Sequence, residues 1–188
     1  MIYEAAIDKD FPVAEHDEVT RLRRRDPAAL ADAVARYQHR LYRYFVRLVH
    51  DPAAADDLFQ QTWLNVVRQI HRYDPARSFD TWLFAIAHNA AIDLLRRRPG
   101  ENIEDCTIAA RAPDALSSAI AEERSTMLLQ AVGALPALYR EVLTLRFEEG
   151  MKLEEIAEVT HAPLSTVKSR VQRGLEALRG SLRREDLL

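Results

Sequence analysis

Between Ser165 and Arg173 the chain carries a set of side chains that could hold a nucleic acid. Ser165, Thr166, Lys168, Arg170, Gln172 and Arg173 supply hydroxyl, ammonium, guanidinium and amide groups, the usual ligands of phosphate oxygens and base edges. They lie off an apolar stripe, Val167, Val171, Leu175 and Leu178, whose three- and four-residue steps predict a helix with one buried face. From Ser165 to Arg184 the bases Lys168, Arg170, Arg173, Arg179, Arg183 and Arg184 stand against one acid, Glu176, in a chain of formal charge −3. The basic block is therefore local. Upstream, Leu153, Ile156, Ala157 and Thr160 mark a shorter helix. His161-Ala162-Pro163 ends it, because Pro163 lacks an amide donor and disfavours helical backbone at Ala162. Two helices joined by so short a turn make a helix-turn-helix, with the second helix set for the major groove. An ordinary helical hairpin with a solvated basic face is the plainer alternative.

A second set lies in the first half of the chain. Phe79 and Trp82 stand with His88, Asn89, Arg96 and Arg97. Rings on which bases stack, an amide that reads a base edge and guanidinium groups for phosphate are what single-stranded DNA binding uses. Phe79 and Trp82 can equally be core residues of a helix start, and core is the preferred reading for Trp82. A third set, Asp56, Asp57, Gln60, Gln61 and Asn65, forms a polar face suited to docking a protein or simply to solvation.

The elements that position these sets are all helical. Asp26-Pro27 and Asp51-Pro52 are start signals, a capping carboxylate followed by a proline in the first turn. After the first, Leu30, Val34, Tyr37, Leu41, Tyr44, Phe45 and Leu48 repeat at helical steps, with Arg36, Arg40, Arg43 and Arg47 opposite. After the second, Leu58, Thr62, Val66 and Ile70 are core positions, widened by Phe59, Trp63 and Val67. Asp74-Pro75 marks a loop, and a third helix is expected from about Phe79 to Arg98. Pro99-Gly100 breaks it. Helical pattern resumes near Asp114, restarts at Leu135-Pro136 through Phe147, and leads into the helix-turn-helix. The expected fold is all-α: an acidic, loosely ordered tail over 1–20, a helical domain over 21–98, a flexible acidic linker over 99–113 and a second small helical domain over 114–188.

Composition sets further bounds. With 48% hydrophobic residues and five glycines in 188, the chain can bury a core and favours helices. No apolar run reaches membrane-spanning length, and the first twenty residues are acidic without a signal-peptide core, so no membrane insertion is expected. The single cysteine, Cys106, fits a reducing cytoplasm. There is no Gly-rich phosphate loop or nucleophile–base set, and the six histidines are scattered. No enzymatic activity, metal or cofactor is expected.

The paired motifs resemble a known family. Leu135-Pro136 through Arg146, Leu153-Glu154-Glu155-Ile156-Ala157 and Ser165 through Arg173 resemble region 4 of bacterial sigma factors. Asp57 through Trp63, with Phe79-Asp80-Thr81-Trp82-Leu83-Phe84-Ala85-Ile86-Ala87-His88-Asn89, resemble region 2. With these two regions, and without region 1.1 or a full region 3, the chain resembles an extracytoplasmic-function sigma factor from about Asp26 to Arg179. The resemblance implies that Asp56, Asp57, Gln60, Gln61 and Asn65 dock on the clamp helices of core RNA polymerase. It implies that Asn89 reads a flipped base of the −10 element, that the loop over 73–80 forms the base pocket, and that Lys168, Arg170, Gln172 and Arg173 read the −35 duplex. It implies contact with the polymerase flap and control by an anti-sigma factor. Gln61 departs from the Glu common in the family, and His161 from the Gly common in the turn. The function so implied is that of a dissociable promoter-specificity subunit. The alternatives are an operator-binding helix-turn-helix regulator and a helical protein that sequesters a partner.

Overall fold

The computed structural model describes residues 13–97 and 128–185, and within these the chain is helical with no strand. Helices α1 (Val13–Arg23), α2 (Pro27–Val49), α3 (Pro52–Gln69) and α4 (Phe79–Arg97) form an N-terminal unit, with a short 3₁₀ turn at Ile70–Arg72. The C-terminal unit holds α5 (128–133), α6 (Ala137–Leu143), α7 (Leu153–Val159) and α8 (Leu164–Glu185). The expected linker over 99–113, Cys106 and residues 1–12 lie outside the described residues.

Both Asp-Pro signals act as caps. Asp26 Oδ1 accepts from the Ala28 amide at 2.9 Å, and Asp51 Oδ1 from the amides of Ala53 and Ala54 at 3.1 and 3.2 Å. α2 ends at His50, whose φ of 52° is left-handed and reverses the chain into α3. Within the expected tail, residues 13–20 differ from the sequence reading: they are helical. Val19 and Leu22 are buried against the N-terminal core, and two apolar contacts among charged neighbours leave too weak a period to see in sequence.

The expected helix from Tyr139 to Phe147 is also modified. α6 gives way at Thr144–Glu148 to a π-helical turn, and Gly150, with φ of 71°, redirects the chain to α7. There the Lys152 amide donates to Glu155 Oε2 at 2.7 Å, capping the start of α7. α8 crosses α6 closely at Gly174. A Cβ there would lie 3.0 Å from Leu143 Cδ1, so any side chain at this position would press the Leu143 side chain aside.

The core does not stop at the boundary between the units. Tyr44, Phe45, Leu48, Phe84, Ala87 and Ala91 of α2 and α4 belong to the same buried cluster as Val142, Leu145, Met151, Ile156 and Val159 of the C-terminal unit. A smaller cluster of Ala131, Leu135, Leu143 and Leu178 belongs to the C-terminal unit alone.

Candidate nucleic-acid and partner surfaces

The helix-turn-helix is present as α7, a turn and α8. Thr160 Oγ1 donates to the Ile156 carbonyl at 2.8 Å, and the Ala162 amide to the Ala157 carbonyl at 3.2 Å, closing the end of α7. His161 takes φ of 50°, a left-handed conformation in which a non-glycine residue is strained. Val167 is fully buried, and Val171 and Leu175 pack partly buried behind it. That fixes the outward face of α8. Ser165, Lys168, Gln172 and Arg173 are exposed, while Thr166, Ser169 and Arg170 are half-buried. An open cleft between α6 and α8 is lined by Tyr139, Ser165, Thr166, Ser169, Arg170 and Arg173. Gln172 donates to Glu176 at 3.0 Å, one turn along the same face.

In the N-terminal unit, Asn89, Arg96 and Arg97 are exposed along α4, and Trp82 is half-buried at its first turn. Trp82 packs on Tyr73 and Phe79, with ring centroids 5.2 and 5.6 Å away. Phe79 is 5% exposed and also meets Tyr37 at 5.7 Å, so it is a core ring behind Trp82 and offers no free face for a base. Beside this cluster Tyr37 Oη donates to Asp80 Oδ1 at 2.5 Å; burial, then that carboxylate, pushes the phenol pKa up. His88 is 7% exposed, with Nδ1 at 2.6 Å from Glu141 Oε1 of the C-terminal unit. Of the third set, Asp56, Asp57, Gln60 and Gln61 are exposed on α3, and Gln61 donates to the half-buried Asn65 at 3.2 Å.

Two features escaped the sequence reading. Leu64 is 53% exposed on α3, in line with Gln60, and forms an open apolar groove with Leu30, Val34, Phe59, Trp63 and Val67. Its signal was an apolar residue four positions after Gln60, on the polar face. Phe147, 63% exposed, sits on the π-turn, where helical spacing no longer predicts direction.

The two units meet through polar contacts as well as core. Tyr44 Oη donates to Glu141 Oε1 at 2.5 Å, the same oxygen that His88 approaches. Arg140 donates to the Leu48 carbonyl at 2.8 Å. Arg40 bonds Glu149 at 2.7 Å, Arg47 bonds Glu148 at 3.1 Å, and Arg77 lies 3.6 Å from Glu158. At the turn of the helix-turn-helix, His161 Nε2 lies 3.4 Å from Asn89 Nδ2.

A chain of two helical units, one of them a basic helix-turn-helix, is thus defined by its own geometry. Comparison with known proteins gives the family. Residues 33–99 match Sigma-70 region 2, and residues 125–178 match Sigma-70, region 4. The chain is 30% identical to the ECF RNA polymerase sigma factor SigW of Bacillus subtilis, over 88% of this chain and 95% of that protein. It is 34% identical to the RNA polymerase sigma-H factor of Pseudomonas aeruginosa, over 85% and 89%. Among solved structures, it is similar in fold to CnrH in complex with the cytosolic domain of CnrY. That match has a TM-score of 0.68 and 23% identity over 90% of this chain and 97% of that one. A second is RpoE in complex with the anti-sigma factor NepR from Bartonella quintana, with a TM-score of 0.65 and 22% identity over 81% and 96%. The chain belongs to the sigma-70 family of RNA polymerase sigma factors, in its extracytoplasmic-function group.

Proposed function

We propose that the chain is a dissociable promoter-specificity subunit that acts in the cytoplasm, without covalent chemistry of its own. It binds core RNA polymerase, recognises −35 duplex with α8 and captures a melted −10 base with α4. The observation that carries this reading is the coexistence in one chain of two separate nucleic-acid faces. Exposed Lys168, Gln172 and Arg173 suit a duplex groove, and exposed Asn89, Arg96 and Arg97 beside Trp82 suit a single strand. An operator-binding regulator needs the first face alone.

Each side chain then has a role its chemistry supports. Arg173 and Lys168 contact base edges and phosphates, and Gln172 offers its amide once released from Glu176. Asn89 hydrogen-bonds the edge of an extruded base, while Arg96 and Arg97 hold its phosphates. Phe79, being buried, supports Trp82 from behind; Trp82 supplies the ring at the pocket edge. Asp56, Asp57, Gln60, Gln61 and Asn65 dock on the polymerase clamp, and the Leu64 groove extends that face with apolar contact. An anti-sigma factor is a further partner, a reading supported by the complexes in which the similar folds were solved.

The test is run-off transcription with core polymerase on genomic fragments, with and without the protein. New, specific start sites are expected. Silence with polymerase, together with a shift of duplex DNA by the protein alone, would replace this reading by an operator-binding regulator.

A further inference from the structure

We infer that the single-strand surface of the N-terminal unit continues past Trp82 onto a basic tip formed by Arg23, Arg24, Arg25 and Arg72. The tip holds strand phosphates on the side of the captured base away from Arg96 and Arg97. The inference deepens the −10 reading of α4 and rests on it for the identity of the strand.

The tip is built where two helices end together. α1 packs on the 3₁₀ turn at Ile70–Arg72 that finishes α3. Leu22 and Arg25 line an apolar cavity with Leu30, Val66, Val67 and Ile70, which sets the end of α1 against the end of α3. Arg23 Nη2 donates to the Tyr73 carbonyl at 2.5 Å, tying the last turn of α1 to the start of the base-pocket loop. The Tyr73 ring packs on Trp82 at 5.2 Å, and its hydroxyl donates to the Arg77 carbonyl at 2.5 Å. Tip and pocket are thus joined through one residue. Arg23, Arg24 and Arg25 lie before the residues that match Sigma-70 region 2.

Charge separates a capping role from a binding one. Basic residues offset the dipole at a helix C-terminus, and two such ends meet here, each worth about half a negative charge. Exposed Asp74 adds one more, so the four guanidinium groups leave an excess of about two positive charges. Among the described residues, Arg24, Arg25 and Arg72 form no ion pair, while the nearby acids Asp26 and Glu18 are held by Arg21 at 2.8 Å and Arg36 at 2.7 Å.

The backbone points the same way. Arg25 takes φ of 58°; its amide donates to the Leu22 carbonyl at 2.9 Å and the Asp26 amide to the Arg21 carbonyl at 3.1 Å. That closure of a helix favours glycine or asparagine, so arginine strains it and gains no acid of this chain in return. An anion from outside the chain accounts for the choice. A single strand fits best, because the tip extends an existing line of cations, amide and ring. Arg97 lies about 22 Å from Trp82 along α4 at 1.5 Å per residue, and the tip begins beyond Trp82, at Tyr73.

The experiment uses the full chain and two randomised, fluorescein-labelled probes: a single strand of about 12 nucleotides and a duplex of equal length. Affinity is read by fluorescence polarisation across a salt series for the parent, Arg24→Gln/Arg25→Gln and Arg25→Gly; Arg23 stays in place to hold Tyr73. Each phosphate contact contributes about 0.7 to the slope of log affinity against log salt on a single strand. The double variant should therefore lower that slope by about 1.4 and leave the duplex slope, set by α8, unchanged. Arg25→Gly should lower it by about 0.7 while raising Tm, since glycine relieves the left-handed backbone. An equal loss of slope on both probes overturns the inference, because the tip is then a general anion surface. An unchanged single-strand slope also overturns it, and vesicles of anionic phospholipid bound by the parent but not by the double variant would then assign the tip to a membrane surface. Run-off transcription by the Asn89→Ala holoenzyme tests α4 separately. Full-strength start sites there, with the single-strand slope falling as expected, fault base capture and leave the tip standing as a strand-binding site.

Discussion

Arg140→Met gives the sharpest test of how the two units hold together. Arg140 is 1% exposed and donates to three carbonyls: Gly133 at 2.7 Å, Leu135 at 2.9 Å and Leu48 at 2.8 Å. The first two brace the turn between α5 and α6; the third closes the end of α2 in the other unit. Methionine therefore leaves all three carbonyls without the guanidinium that meets them. A buried polar group left unpaired costs about 1–3 kcal/mol, and the guanidinium desolvation no longer needed offsets part of the sum. A net loss of about 2–4 kcal/mol is expected, which lowers Tm by about 5–10 °C in a chain of this size. Both tryptophans, Trp63 and Trp82, lie in the N-terminal unit, so their fluorescence follows that unit while circular dichroism follows all helices. Coincident melts are expected for the parent, and for Arg140→Met a dichroism transition that precedes the fluorescence one. Arg140→Lys should fall between, because a point charge cannot fork to three carbonyls. A change within about 0.5 kcal/mol, typical of a surface site, would refute the argument.

The remaining predictions address the faces and the fold. Arg173→Ala is expected to cost about 1–3 kcal/mol at preferred −35 sites if its contact is bidentate to a base, read by competition binding across site variants; equal weakening at every sequence would demote it to a phosphate contact. Asn89→Ala should reduce open-complex formation and relax preference at one −10 position while polymerase affinity is unchanged, and an equal loss at all promoters would count against it. Gly174→Val forces a branched Cβ toward Leu143 Cδ1 at 3.0 Å and should cost about 1–3 kcal/mol in urea unfolding; an unshifted midpoint would mean that α6 and α8 part freely. His50 is held down to about 4 from 6.5, by burial first and by the Arg140 charge next, so the unfolded chain binds the extra proton. The stability this contributes is complete above pH 6.5 and is lost as pH falls toward 4, about 1–2 kcal/mol once the half-exposed ring is discounted; a chain more stable at pH 5 than at pH 7.5 would contradict it.

What was legible in the sequence were features that act locally. Asp26 and Asp51 cap the helices they were expected to cap, because a cap needs the next three residues and nothing else. The Val167–Leu178 stripe orients α8 for the same reason. Arg140 and Glu141 were not legible as buried: a charged residue in an amphipathic helix reads as solvated unless a distant segment supplies its partners. Glu141 meets Tyr44 and His88, and Arg140 meets Leu48 besides the nearby Gly133 and Leu135 carbonyls, so the distant partners lie some fifty to a hundred positions away in the chain. The π-turn was hidden because one added residue shifts the helical register without altering composition. Phe79 read as a stacking ring on residue type alone, and its burial depends on Tyr37 and Tyr73, which sequence spacing cannot bring together.

The arginine stripe of α2 shows how charge partition acts in the folded chain. Arg36, Arg40 and Arg47, opposite the apolar stripe in sequence, are each paired with an acid of this chain: Glu18 at 2.7 Å, Glu149 at 2.7 Å and Glu148 at 3.1 Å. In the docked arrangement the net charge of −3 is therefore compatible with DNA attraction centred on α8. Salt weakens the partly exposed Arg47–Glu148 pair and the DNA contacts together, while the buried carboxylates of Glu149 and Glu141 are screened far less. A partner that binds the undocked arrangement more tightly can shift the equilibrium by the difference of its two affinities and no more. The exposed face of α3 is accessible while the two units are in contact, so a partner bound there alone has the same affinity for both arrangements and shifts nothing. A shift must then come from contacts made with the C-terminal unit or with surfaces that the two units bury against each other.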